Sequence, residues 1–269
     1  METTSHPDLV LATRGDMVAE ARRVIDAARE RGLVLRLFGG LAVRAHCSVV
    51  DFCERDYADI DVVGRRSQSK ALRTLMRDLG YSENLHVGQA TGGRQLQFYR
   101  ECTHADAQAH FFVHPDDHID VFLDTFKMDH EVNLNERLTI EEYTISVTDA
   151  LLTKLQIFAL NDKDMRDVLT LLKDLPLGED DRPGVINVAS IAARCAADWG
   201  LYHDVTTNLQ RCAGRLGEYG LAPEESERVR QGLARLTDAL EKQPKSRSWR
   251  RRAKVGTRRS WRNVIEEQQ

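Results

Sequence analysis

Residues 58–63 read ADIDVV, and this short stretch decides the fold. Its β-branched residues favour a β-strand, in which successive side chains point to opposite faces. Asp59 and Asp61 are therefore expected on one face, about 7 Å apart along the chain. Ile60 and Val62 then point the other way, into a core. Two carboxylates on one strand face provide the oxygen ligands that hold Mg²⁺ where proteins handle phosphates.

Two neighbouring segments extend this pattern. Residues 35–38 (LRLF) predict a strand that ends at Gly39 and Gly40, and an apolar helical stretch follows. Glycines between a strand and a helix leave backbone N–H groups available to phosphate oxygens. Residues 118–124 (HIDVFLD) predict a second acidic strand, which adds Asp120 as a third candidate metal ligand.

The order of these segments resembles the nucleotidyltransferase superfamily with the DNA polymerase β-like fold. In that family a hydrophobic residue and Gly, then Gly or Ser, precede a D-h-[D/E]-h element, where h is hydrophobic. A later strand carries another Asp. Phe38-Gly39-Gly40, Asp59-Ile60-Asp61-Val62 and Asp120 match this order. The resemblance covers residues 39–172, about half of the chain.

Within the superfamily, the chain looks most similar to the AbiEii-like nucleotidyltransferase toxins of type IV toxin–antitoxin systems. Arg55 stands four residues before the first Asp, as in that branch. A helical signature with Lys154 follows, and then the element Lys163-Asp164-Met165-Arg166-Asp167. Tyr57 differs from the Ser or Thr that the branch often has, and residues 101–117 read as an insertion. These differences leave the acceptor substrate open.

The resemblance implies an α/β (α+β) fold, with a polymerase β-like core built on a mixed sheet. A helical C-terminal domain and a basic tail follow this core. The domains are expected at residues 1–148 (catalytic), 149–241 (helical) and 242–269 (tail). The periodicity of apolar residues independently predicts helix over most of residues 149–241. Residues 138–147, by contrast, look like extended chain.

The resemblance also implies a reaction and the residues that perform it. A nucleoside monophosphate moves from a nucleoside triphosphate, ATP among the candidates, to an acceptor hydroxyl, and pyrophosphate leaves. The implied catalytic and metal-binding residues are Asp59, Asp61 and Asp120, which hold two Mg²⁺ ions, with Mn²⁺ as an alternative. The implied nucleotide-binding residues are Gly39, Gly40, Arg55, Lys154 and Asp167.

Several of these residues also have a purely structural interpretation. The two glycines fit a tight turn. Arg55 fits a pairing with a carboxylate that holds the Asp59 strand, as well as a phosphate contact. Lys154 fits the polar face of a helix, and Asp167 fits a salt bridge between helices.

Composition is that of an ordinary soluble protein, with 42% hydrophobic and 30% charged residues. No apolar run approaches the roughly 20 residues that span a bilayer, and residues 1–8 lack the pattern of a signal peptide. We therefore expect a cytoplasmic protein that does not associate with membranes. The five cysteines are odd in number and irregularly spaced, which favours free thiols over a disulfide framework.

Charge is distributed unevenly along the chain. Residues 242–269 contain ten Lys or Arg and two Glu, a balance of +8. Because the whole chain carries −4, the other 241 residues carry −12. With Trp249 and Trp261 interleaved, this tail has the composition of a segment that binds an RNA backbone and stacks on a base. The alternative is a basic arm that lies back on the acidic remainder of the chain.

A group of four histidines raises the question of a zinc site. They are His104, His110, His114 and His118. Pro115 prevents a helix that would align them, and no Cys stands at ligand spacing. We therefore expect no zinc and assign these histidines to an insertion loop.

Three functions are consistent with these features. The first is a toxin-like nucleotidyltransferase whose acceptor is RNA, such as tRNA, or a protein, with an antitoxin as an implied partner. The second is a small-molecule nucleotidyltransferase acting on aminoglycoside-like or lincosamide-like hydroxyls, since the acidic part of the chain suits a cationic acceptor. The third is a catalytically silent module that binds nucleotide or RNA. The presence of Asp59, Asp61 and Asp120 argues against this third function. The sequence defines neither the nucleoside triphosphate used nor the oligomeric state.

Overall fold

The computed structural model describes residues 17–53, 55, 57, 59–100 and 118–263. The chain divides into two compact units that alternate along the sequence. The first unit comprises Met1–Ala45, Glu54–Phe126 and Asn133–Ile145. The second unit comprises His46–Cys53, Lys127–Val132 and Ser146–Gln269.

The first unit combines a sheet with helices. Its sheet strands are β1 (Leu35–Leu37), β2 (Asp59–Gly64), β3 (Tyr81–Glu83), β4 (Gln95–Arg100) and β5 (His118–Leu123). The helices up to this point are α1 (Met17–Glu30), α2 (Gly39–Ala45), α3 (Val50–Cys53), α4 (Ser69–Asp78) and α5 (Leu85–Ala90). Of these, α3 belongs to the second unit. Two further short strands follow, β6 (Thr125–Lys127) and β7 (Glu131–Asn133).

The five strands β1 to β5 form a mixed sheet in the order β1-β2-β5-β4-β3. The central pair, β2 and β5, is parallel, whereas the other neighbouring strands are antiparallel. The central register places Asp59 opposite His118 and Asp61 opposite Asp120. The predicted α/β fold with a mixed sheet is therefore confirmed.

The two faces of this sheet differ in polarity because strand side chains alternate. On β2, Ile60 and Val62 are buried while Asp59 and Asp61 are only partly buried. The apolar residues of β2, β4 and β5 share one core with buried residues of α1 and α4. The sheet face that carries Asp59 and Asp61 is therefore the face opposite this core.

Residues 138–147 do not form the extended strand that their sequence pattern suggests. An isolated bridge joins Leu37 and Thr144, and the next helix already begins at Val147. Leu138 and Ile145 are buried in this stretch. The apolar pattern of the segment thus reflects burial of single side chains rather than regular strand pairing.

The second unit is mainly helical in the part that the structure describes. After α3, its helices are α6 (Val147–Leu155), α7 (Asp162–Asp174), α8 (Val188–Ala197), α9 (Trp199–Arg215), α10 (Pro223–Lys242) and α11 (Arg247–Val255). A short parallel pair is formed by β8 (Leu177–Gly178) and β9 (Ile186–Asn187). Helix α6 packs against α7, and α10 packs against α7, α8 and α9. None of the described helices is long and apolar enough to cross a membrane.

The expectation of free thiols is wrong for two of the cysteines. Cys47 and Cys53 form a disulfide, because the α3 turn brings their Cα atoms to 6.7 Å. Cys195 and Cys212 are free thiols in the second unit. Burial raises the pKa of each of these two thiols to about 12. Cys102 lies outside the described residues.

The basic tail packs on the second unit through its two tryptophans. Trp249 Nε1 donates to the Cys195 carbonyl oxygen at 3.1 Å. Trp261 Nε1 donates to the Asp204 carboxylate at 3.0 Å, and that carboxylate also pairs with the buried His130 ring at 2.7 Å. Both indoles are thus engaged within the chain, as expected for an arm that lies back on it.

Candidate metal centre on the polar face of the sheet

The parallel register of β2 and β5 gathers polar side chains on one face of the sheet. Asp59 and Asp61 lie on β2, opposite His118 and Asp120 on β5. Because partners in a sheet register point to the same side, all four side chains belong to the face opposite the core. The two acidic strands predicted from the sequence are therefore neighbours, with Asp61 opposite Asp120.

Three of these side chains form a group that could hold a metal ion. The ligand atoms of Asp59, His118 and Asp120 all lie within 4.8 Å of one another. Asp61, although it stands on the same face, is not part of this group among the described residues. The structure thus brings together two of the three predicted carboxylates and adds a histidine to them.

His118 is the residue of this group that the predicted set of metal ligands does not contain. It is the first residue of β5, within the strand predicted over residues 118–124, and its Nε2 lies 3.2 Å from Asp120 Oδ2. The signal was present in the sequence, because a spacing of two residues places His118 and Asp120 on one strand face. His104, His110 and His114 lie outside the described residues.

A chain of amide hydrogen bonds fixes the orientation of Asp120. Asn84 caps α5 by accepting from the backbone N–H of His86, which turns its Nδ2 toward Gln97. Gln97 Oε1 accepts from Asn84 Nδ2 at 2.9 Å and from the Tyr99 hydroxyl. With its oxygen occupied, Gln97 must donate from Nε2 to Asp120 Oδ1, at 3.1 Å.

Asp120 is a carboxylate that is largely removed from water. It is 8% exposed, and a carboxylate removed from water needs hydrogen bonds and positive charge. Gln97 and His118 supply hydrogen-bonding groups. Within the described part of the chain, no Lys or Arg forms an ion pair with Asp120. A divalent cation among Asp59, His118 and Asp120 fits this donor set.

Asp61 is held close to the turn between β1 and α2. Gly39 has φ +67°, and a Cβ placed on it would lie 2.5 Å from Asp61 Oδ2. The Phe38 backbone N–H also donates to the Asp61 carbonyl oxygen at 2.8 Å. Gly39 is therefore required both by its backbone conformation and by the approach of the Asp61 carboxylate.

Gly40 is required for a different reason, namely the approach of Arg55. A Cβ on Gly40 would collide with the Arg55 guanidinium and would lie 3.2 Å from the Tyr57 ring. The guanidinium also stacks over that ring, 4.8 Å from its centroid. The structure thus places Arg55 against the glycine turn, and its contact with phosphate stays a prediction.

Lys154 and Asp167, the other two predicted nucleotide-binding residues, pair with each other in the second unit. Lys154 Nζ lies 2.9 Å from Asp167 Oδ2 and 2.8 Å from Asp164 Oδ1. Burial alone lowers the pKa of the Lys154 ammonium, but the charges of Asp167 and Asp164 outweigh burial and raise that pKa. This cluster is the salt bridge between helices that was the structural alternative, and a nucleotide contact stays a prediction.

Comparisons with known proteins give little further information. No protein-family profile matches the chain, and no curated protein matches it. Among solved structures, the chain is similar to the solution structure of the antibiotic-resistance factor ANT(2'')-Ia. The identity is 14%, the match covers 84% of this chain and 96% of that one, and the TM-score is 0.37. A similarity at this level carries no argument about activity, so the function has to be inferred from the chain's own residues.

The geometry at Gly39 predicts a measurable penalty for Gly39→Ala. A side chain there must adopt a left-handed conformation, at about 1–2 kcal/mol, and must displace the Asp61 carboxylate, at about 1–3 kcal/mol more. Gly92→Ala is the matched control, since Gly92 has φ +60° with open space around it. Urea unfolding should show a larger loss for Gly39→Ala, and equal losses would contradict the close approach of Asp61.

The ion-pair cluster predicts that Lys154→Met destabilises the protein by about 3–5 kcal/mol, because the buried Asp167 and Asp164 lose the ammonium group that pairs with them. Lys163→Met, at an exposed lysine, should change the free energy of unfolding by less than about 0.5 kcal/mol.

The raised pKa of Lys154 also predicts how this stabilisation depends on pH. The contribution of Lys154 to the free energy of unfolding is fully present below the pKa of the unfolded chain, about 10.4. This contribution is lost as the pH rises through the pKa of Lys154 in the folded protein. The free energies of unfolding of wild type and Lys154→Met should therefore become more similar in alkali. A difference in the free energy of unfolding that does not change with pH would contradict the role of the Lys154 ion pairs.

Proposed function

We propose that this chain is a metal-dependent nucleotidyltransferase that moves a nucleoside monophosphate from a nucleoside triphosphate to an acceptor hydroxyl. The observation that carries the proposal is the grouping of Asp59 and Asp120, with His118, on the polar face of the sheet. The order of the acidic strands around the Gly39–Gly40 turn supports it, because this order is the one that resembles the superfamily.

The site residues have distinct roles in this proposal. Asp59 and Asp120 hold a divalent cation, and Asp61 faces the glycine turn at the same end of the strand. When bound, a divalent cation neutralises the triphosphate and polarises the phosphorus–oxygen bonds. Arg55, held against Gly40, contributes positive charge next to the turn. Gln97 keeps Asp120 in its orientation through the hydrogen bond to Oδ1.

The transfer forms one bond to phosphorus and breaks another. The acceptor oxygen forms a bond to the α-phosphorus, and the bond from that phosphorus to the bridging oxygen of pyrophosphate breaks. The proton of the acceptor hydroxyl passes to Asp120. Pyrophosphate leaves with the electron pair of the broken bond, so charge develops on both the entering and leaving oxygens.

The surface of the basic tail favours RNA as the acceptor. Helix α11 carries exposed cations at helical spacings of three and four residues, which place them on one side: Arg247, Arg250, Arg251 and Lys254. We call this set the α11 cationic stripe. Among the described residues, none of its members forms an ion pair with a carboxylate. The other side of the helix is engaged within the chain, since Arg252 stacks over Trp199 at 4.7 Å.

The stripe fits a phosphate backbone better than a small molecule. Its first and last members are seven residues apart, which corresponds to about 10 Å along a helix. In duplex DNA the phosphates of one strand recur about every 3.4 Å along the axis, and a spacing of this order in RNA would bring several phosphates to the stripe together. Both indoles of the tail already have partners within the chain, because Trp249 packs against the Tyr202 ring and Trp261 against the Trp199 ring, in addition to their hydrogen bonds. Binding should therefore depend on charge rather than on base identity.

Substitution of the site carboxylates tests the reaction. Asp59→Asn, Asp61→Asn and Asp120→Asn should each reduce nucleotide transfer by at least about a hundredfold, because each removes charge that offsets the developing transition state. The assay is label transfer from each α-labelled nucleoside triphosphate, with Mg²⁺ or Mn²⁺, to total RNA, total protein or a panel of aminoglycosides. Asp78→Asn, at an exposed carboxylate of the same unit, should leave transfer unchanged. Full activity of Asp120→Asn would rule out the assigned site.

Substitution in the stripe tests the acceptor. Arg250→Ala/Arg251→Ala should weaken tRNA binding, and the slope of log affinity against log salt should fall by about 0.7 for each phosphate that the variant no longer neutralises. The control is Arg230→Ala/Lys242→Ala on α10, which removes two exposed cations that already pair with Glu227 and Asp238. Point substitutions are preferable to truncation, since truncation also removes the hydrogen bonds of Trp249 and Trp261. Equal effects of the two double variants would contradict the role of the stripe.

The same experiments separate the other acceptors. Label on an aminoglycoside, unaffected by the stripe variants, would identify a small-molecule nucleotidyltransferase acting on a cationic acceptor. Label on protein would identify a protein-modifying enzyme. Nucleotide or RNA binding with no label on any acceptor would identify a silent binding module. An antitoxin partner belongs to the AbiEii-like resemblance and stays a prediction.

A further inference from the structure

His118 changes the chemistry of the proposed metal centre, because it adds a nitrogen ligand to carboxylate oxygens. Its Nε2 lies 3.2 Å from Asp120 Oδ2, and its ligand atom is within 4.8 Å of that of Asp59. Two adjacent ligands of an octahedral ion with bonds of about 2.1 Å lie about 3.0 Å apart. The separation of His118 Nε2 and Asp120 Oδ2 is therefore close to that of two ligands on one ion.

The surrounding hydrogen bonds direct the free edge of Asp120 toward His118. Gln97 donates to Oδ1 of Asp120, which leaves Oδ2 on the side of the imidazole. The Gln97 amide cannot turn around without losing its bonds from Asn84 and Tyr99. The His118 backbone is fixed as well, because it pairs with Asp59 in the parallel register. The hydrogen bonds and the strand pairing thus hold Asp120 and His118 in their orientations.

The nature of these donors discriminates between metals. Mg²⁺ is bound through carboxylate, phosphate and water oxygens. Imidazole nitrogen instead suits first-row transition-metal ions, whose affinity for a given site rises from Mn²⁺ toward Cu²⁺. A centre with two carboxylates and one imidazole is therefore expected to favour first-row transition-metal ions over Mg²⁺.

We infer that Asp59, His118 and Asp120 bind a first-row transition-metal dication in preference to Mg²⁺, with His118 as its nitrogen ligand. This inference rests on the proposed function, and it specifies the class of metal that the same site uses. The competing role for His118 is purely structural: the ring orients Asp120 by a hydrogen bond and never binds the ion. The two roles differ in one physical quantity, which is the presence of nitrogen in the coordination shell.

The test uses Mn²⁺ as the probe and untagged full-length protein. Pulsed electron paramagnetic resonance detects a coordinated imidazole nitrogen as a modulation of the Mn²⁺ spin echo. Wild type should bind Mn²⁺ and show this modulation. Calorimetric titrations with Mn²⁺ and with Mg²⁺ give the two affinities, and Mn²⁺ should bind more tightly.

Two histidine variants provide the comparison. His118→Asn retains an oxygen donor but removes the imidazole, so the nitrogen modulation should disappear. Its Mn²⁺ affinity should fall by at least about tenfold, as for changes around metal ligands, and its Mg²⁺ affinity by less than about threefold. His86→Asn is the matched control, since His86 is an exposed histidine of the same unit. It should leave the modulation and both affinities unchanged.

Each result has a definite meaning. Mn²⁺ binding without nitrogen modulation, or modulation that persists in His118→Asn, would overturn the inference. A wild type that binds neither ion would overturn both the inference and the metal-dependent mechanism. Nitrogen modulation without nucleotide transfer to any acceptor would support the metal site while contradicting the proposed function. Nucleotide transfer by the wild type without nitrogen modulation would support the proposed function while contradicting His118 as a metal ligand.

Discussion

The parallel pairing of β2 with β5 is the constraint on which the candidate site depends. Only this register sets Asp59 opposite His118 and Asp61 opposite Asp120, with all four side chains on the face away from the core. A shift by one residue would turn these polar side chains into the core and expose Ile60 and Val62. The hydrophobic core of the first unit thus also determines where the carboxylates stand.

This arrangement concentrates negative charge, and like charges in one place disfavour the ionised state unless a cation is close. Two of these carboxylates have contacts that fix their positions. Gln97 donates to Asp120, and the absence of a side chain at Gly39 leaves room for the Asp61 carboxylate. In the second unit, Lys154 pairs directly with Asp167.

Local patterns of the sequence were sufficient for the strands that carry Asp59 and Asp120 and for the alternation of Asp59 and Asp61, because these depend on periods of two residues. They were misleading for residues 138–147, where the apolar pattern reflects burial without strand pairing. They were not sufficient for features that depend on long-range contacts. The partners of Lys154, the docking of Trp249 and the disulfide between Cys47 and Cys53 follow from how helices pack. The role of His118 was missed for another reason: residues 118–124 were predicted as the strand of Asp120, but His118 was grouped with the preceding histidines instead of with the carboxylates.

The central claim is that a divalent cation binds where Asp59, His118 and Asp120 converge. Its most direct test is a crystal structure of the protein with Mn²⁺ and a non-hydrolysable nucleoside triphosphate, with data collected at the manganese absorption edge. We expect an anomalous peak within bonding distance of the Asp59 and Asp120 carboxylates, with triphosphate oxygens completing its shell. An ordered nucleotide elsewhere, or an anomalous peak that contacts neither carboxylate, would contradict the proposed metal centre.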